Sequence, residues 1–124
     1  MNFPVFDLHC DTAFAILGRS AEDNKSLRAN DLHIDLTRAA ALPGYCQCFA
    51  CFTTPFMEKW GAGKPQDIFK RELQGIFSAL DDNKDLIRKV SSAADIEANR
   101  IEGYMSAVLT IEGPAGFDYD PGRL

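Results

Sequence analysis

The sequence predicts an α/β protein built on a parallel sheet, and three observations point there. Short apolar runs of strand length alternate with segments of helical period. The last run, residues 104–111, is nearly all apolar or small, as in a strand buried on both faces. Two of the three runs end in charged residues, His9-Cys10-Asp11 after the first and Glu112 after the third. The carboxyl ends of strands are where α/β sheets place their ligands.

The first strand is expected over residues 4–8. "TAFAILGRS" follows as a short helix stopped by Gly18, and residues 20–30 read as a polar loop. Asp35 or Thr37 can cap a helical turn running to Ala41, which Pro43-Gly44 then breaks. Residues 45–52 are aromatic and small apolar between turn signals, a buried strand. Residues 53–66 form a loop with Gly61 and Gly63 as pivots. A long helix is predicted from Pro65 to about Arg88, its apolar stripe formed by Phe69, Leu73, Ile76, Phe77 and Leu80. Asp81-Asp82-Asn83 is a possible interruption before Leu86 and Ile87. "SSAADIEANRI" reads as a shorter helix opened by a capping box from Ser92 to Asp95, and the third strand covers residues 104–111.

The chain has 124 residues, 46% hydrophobic and 25% charged, with a net charge of -5. That is the size and composition of one folded domain. The acidic balance argues against a nucleic-acid partner, and no run approaches a membrane span. No basic, cleavable leader opens the sequence. Four cysteines without an export signal read as free thiols in a reducing compartment, so the expectation is a cytoplasmic protein.

His9 and Asp11 are two positions apart, which on an extended chain puts both side chains on one face and Cys10 on the other. Imidazole plus carboxylate suits a first-row metal such as zinc, and Glu112 can supply a third ligand or bridge two ions. The residues alone leave a second reading open: a hydrogen-bonded structural pair, with Glu112 in an ordinary Glu-Gly-Pro turn. His33 and Asp35 share the spacing in a poorer setting; Asp35 is expected as a turn or cap residue and His33 as a surface or structural one. "CQCFAC" has the look of a metal motif. Inside a strand, however, Cys46 and Cys48 face one way and Cys51 the other, which favours small buried thiols.

Three blocks in register resemble the N-terminal part of the membrane (renal) dipeptidase family of zinc peptidases. They are "FDLHCDT", "HIDLTRAAALPGYCQCFACFTTP" and "VSSAADIEANRIEGYMSAVLTIEG". The resemblance implies a (β/α)8 TIM-barrel-like metallohydrolase fold, incomplete in this chain. Residues 1–124 would be a single partial domain holding the first three βα units. It implies a binuclear zinc site in the complete enzyme, with His9 and Asp11 on one ion and Glu112 bridging, and hydrolysis of the amide bond of dipeptides. Cys10, Asp7-Leu8 and Pro114 depart from the family pattern without removing a ligand. The family's remaining ligands and catalytic groups lie further on, and this sequence has no histidine after His33. The expectation is therefore an N-terminal fragment, inactive alone, able to associate as a homo-oligomer through exposed strand edges. The alternative is a small self-contained α/β binding or structural domain without metal.

Overall fold

The computed structural model describes residues 3–17 and 26–123. Gly18 and most of the 20–30 segment lie outside the described residues. In chain order the elements are strand β1 (Phe6–Cys10), helix α1 (Thr12–Ala15), helix α2 (Leu36–Ala39), strand β2 (Cys46–Phe52) and helix α3 (Pro65–Asp81). Strand β3 (Ile87–Lys89), helix α4 (Ala93–Glu102) and strand β4 (Met105–Glu112) follow. Two short 3-10 turns, Pro114–Phe117 and Pro121–Arg123, come after β4. The strands form one sheet in the order β1-β2-β4-β3, and every pairing is parallel. Among the described residues no helix is long and apolar enough to cross a membrane.

The α/β class and the parallel sheet agree with the sequence reading; the strand count does not. The helix expected to reach Arg88 ends at Asp81, and Ile87–Lys89 is a fourth strand. Asn83 makes the stop. Its side-chain amide donates to the Ala79 carbonyl at 2.7 Å, and its own carbonyl accepts from the amides of Leu86 and Ile87. Ile87, 1% exposed, then enters the core beside Met105. The α3 stripe also shifts. Ile68, Phe69, Glu72, Ile76 and Leu80 are buried, whereas Phe77 is exposed under the Lys89 ammonium.

The helices cover both faces of the sheet. Phe49, Cys51, Met105 and Ala107 belong to the core that also contains Phe69, Ile76 and Leu80 of α3. Cys46 and Ser106 are in register on the opposite face, and there Asn99 of α4 donates to the Ser106 hydroxyl at 3.1 Å. The strand order accounts for this, given the right-handed rule for parallel crossovers. The chain steps outward from β2 past β4 to β3, then back to β4, and reversing the direction puts the second helix on the other face. α4 is held at its start by a complete capping box of Ser92 and Asp95 and at its end by Gly103 at φ +83°.

Candidate metal centre

β1 carries an irregularity that places the first candidate ligand. Phe6 pairs with Cys46 and Asp7 with Gln47, but the next pair is Cys10 with Phe49. Leu8 and His9 therefore both stand opposite Cys48, as in a β-bulge, which re-aims side chains. The bulged amide of His9 donates to the Asp7 carboxylate at 3.1 Å. His9 thus shares the face of Cys48 and Ala50, while Cys10 turns into the core beside Phe49. Uninterrupted alternation would have put Cys10 on the same face as Phe6 and His9 on the other.

Asp11 follows the strand at the N-cap position of α1, with φ -91° and ψ 17°. Its side chain makes no capping hydrogen bond; it turns to His9 instead, 3.2 Å from Nε2 to Oδ1. Glu112 ends β4 in register with Phe52. Its Oε2 lies 3.4 Å from the same His9 nitrogen. His9, Asp11 and Glu112 are brought together so that one ligand atom from each lies within 4.8 Å of the others. This is the group of three that converges among the described residues.

The position of Glu112 is fixed from behind. The Thr53 amide donates to the Glu112 carbonyl at 2.8 Å, and the Thr53 hydroxyl donates to the Gly113 carbonyl at 2.9 Å. That hydroxyl also accepts from the Gly116 amide at 2.9 Å. Gly113, at φ +85°, passes so close that a Cβ there would lie 1.9 Å from the Thr53 oxygen. Thr53, expected in the loop after β2, ties down the end of β4 that carries Glu112. On the other side, Phe14 of α1 meets Phe52 edge-on at 6.1 Å and seats α1 against the end of β2.

The imidazole and carboxylate donors, and the two separations at His9, suit a small divalent cation. Tetrahedral ligands at about 2.1 Å from zinc stand about 3.4 Å apart, and His9 is 3.2 and 3.4 Å from its two carboxylate neighbours. The single Nε2 can donate one proton to only one of them, so hydrogen bonding satisfies one contact and leaves the other. The three side chains are 51%, 67% and 48% exposed, which leaves the group open to solvent and solute.

The other candidates do not converge. His33 is exposed. Asp35 is buried and caps α2, accepting from the Arg38 amide at 2.8 Å and from its guanidinium at 2.5 Å. The four cysteines are free and buried, as the sequence suggested. Burial pushes Cys46 and Cys51 up to about 11, so both are neutral thiols near pH 7. One further ionisable group went unnoticed in the sequence: Glu72, 0% exposed, sits on the buried stripe of α3. Its spacing from Phe69 and Ile76, three before and four after, was the available signal.

No protein-family model and no curated protein matches the chain. Solved structures do. One is described as a dipeptidase, a metallopeptidase of family M19, with a TM-score of 0.72 and 18% identity over 94% of this chain. Another is a metallopeptidase from Rhodobacter sphaeroides liganded with a phosphinate mimic of the dipeptide L-Ala-D-Ala, with a TM-score of 0.71 and 18% identity over 94% of this chain. The likeness is one of fold, and the chain spans 37% and 40% of the length of these two.

Proposed function

We propose that this chain is the N-terminal portion of a metal-dependent dipeptidase, with His9, Asp11 and Glu112 as ligands of a binuclear zinc centre. The observation that supports it is the convergence on His9 Nε2 of two carboxylates, one beside it and one from a strand that β1 does not touch. The fold neighbours add the reaction class, since both are metallopeptidases and one carries a dipeptide mimic.

In this reading β1, β2 and β4 are the first three strands of a (β/α)8-like barrel. β3 is a short addition that pairs only Met105–Ala107 of β4. The site then lies at the carboxyl ends of barrel strands, where barrel enzymes carry their chemistry. His9 and Asp11 would hold one ion, and Glu112 would be the ligand shared with a second. Bound zinc polarises a scissile carbonyl and lowers the pKa of water to near neutrality. The bulge at Leu8-His9 aims the imidazole, and the Thr53 hydrogen bonds hold Glu112 in reach. The substrate is a dipeptide or similar small amide. With one histidine in the group and none after His33, the chain alone is expected to show no dipeptidase turnover.

Zinc titration of the chain against His9→Ala, followed calorimetrically, tests the proposal. The wild type should bind stoichiometrically and the variant should lose at least tenfold in affinity. Equal binding, or none in either, would favour a metal-free α/β domain in which His9 and Asp11 are a hydrogen-bonded pair.

A further inference from the structure

Glu72 projects from the middle of α3 into the contact with β2 and α1, and it is 0% exposed. Neither carboxyl oxygen has a hydrogen-bond partner. The Phe52 backbone amide leans towards it and favours the ionised form, but no hydrogen bond closes between them. The groups around it offer no compensating charge. From β2 comes the buried neutral thiol of Cys51, and beyond α1 the Asp11 carboxylate raises the Glu72 pKa further. The 3-10 turn Pro114–Phe117 brings no ionisable side chain. Arg88 and Lys89 of β3 are engaged elsewhere, on Tyr104 and Glu102 and on the Phe77 ring.

An ionised carboxylate without partner in such a place is costly, and the group stays neutral instead. Burial pushes Glu72 up to about 8. A buried neutral acid is compatible with the apolar stripe; the same group ionised is not, and the way to hydrate it is to lift α3 off the sheet.

We propose that Glu72 is an alkaline latch: protonated, it lets α3 seat on β2 and α1, and loss of its proton releases that seat. The latch stands on the burial of an unpartnered acid in a helix–sheet contact. The direction follows from linkage. The folded-state value lies above the ordinary 4.5, so the stabilising effect is complete below about 4.5 and is lost as pH rises towards about 8. Between those limits the folded chain holds a proton the unfolded chain has released.

The test compares urea unfolding of the chain from pH 5 to 9 with Glu72→Gln, which is isosteric and does not titrate, and with Glu72→Met, which is apolar and keeps the volume. The wild-type folding constant should fall by up to about tenfold per pH unit relative to either variant through the middle of the window, then level off. Infrared difference spectra at pH 6 should show a protonated-carboxyl band that Glu72→Gln lacks and that disappears by pH 9. Profiles parallel to both variants, or a Glu72 already ionised at pH 6, would overturn the latch. Should one variant not fold, the other variant and the wild-type carboxyl band still decide.

Discussion

The imidazole Nε2 of His9 lies 3.4 Å from a carboxylate oxygen of Glu112, although the strands that carry them are not neighbours. β2 runs between β1 and β4, so the two backbones stand about 10 Å apart. Only long side chains on one face can close that distance, and only if the strand beneath them is low. On that face, between the level of His9 and that of Glu112 beside Phe52, β2 presents Cys48 and Ala50, both buried and small. The bulge supplies the face for His9, the even register supplies it for Glu112, and β2 keeps the space between them clear.

The carboxylates should matter to metal in a way that the second histidine does not. Glu112→Gln and Asp11→Asn keep shape and remove charge, and each is expected to weaken zinc binding by tenfold or more. His33→Ala, at an exposed position outside the cluster, should leave it unchanged. Competition with a chromophoric chelator reads all three; an effect of His33 equal to that of Glu112 would remove the assignment.

The low floor of β2 can be tested directly. Ala50 is 1% exposed and in register with Thr110, between the levels of His9 and Glu112. Ala50→Leu should separate the two ligands and lower zinc affinity by at least tenfold, with an overpacking cost of about 1–3 kcal/mol. Ala39→Leu, buried at α2 instead, should cost similar stability while leaving zinc affinity alone. Equal zinc affinity in a folded Ala50→Leu would show that β2 does not set the gap.

Much of this was legible in the sequence because it rests on local chemistry. The Ser92–Asp95 box, the Asp35 cap, the break at Pro43-Gly44 and the apolar β2 were all visible. The grouping of His9, Asp11 and Glu112 was visible as well, but alternation along one strand is an incomplete reason for it. Strict alternation puts His9 and Asp11 on one face of an extended strand, whereas Asp11 has left the strand and a bulge turns His9. A bulge depends on a partner strand's register, which a single segment does not encode. β3 was missed for a related reason. "LIRKV" after a long helix continues the helical period, and only pairing with β4 makes Ile87 a strand residue. Thr53 and Glu72 depend on contacts with distant segments and carry weak local signals.

Two glycines should respond in opposite directions. At Gly113, φ is +85° and a Cβ would lie 1.9 Å from the Thr53 carbonyl oxygen. Gly113→Ala is expected to cost about 3 kcal/mol or more by combining backbone strain with a clash against main chain. Because the same junction holds Glu112, zinc binding should weaken too. Gly75 lies within α3 with nothing within 4 Å of its would-be Cβ, so Gly75→Ala should stabilise by about 0.5–1 kcal/mol. Urea midpoints measure both; a neutral Gly113→Ala would mean that the Thr53 junction yields easily.

Asp35 should leave an acid-side signature opposite in sign to that of Glu72. Burial alone would raise its pKa, but the Arg38 amide and guanidinium outweigh burial and hold it below the ordinary 3.8. With the folded value depressed, the contribution is present above about 3.8 and is lost as pH falls through the folded value, where the unfolded chain binds the proton first. Asp35→Asn keeps a capping oxygen and loses the charge. It should be less stable than wild type at pH 7 by about 1 kcal/mol, the scale of a helix cap. The gap should close as pH falls from 4 towards 2. Thermal unfolding of the pair across that range checks the sign, and a gap that widens in acid would show that burial, not Arg38, governs this carboxylate.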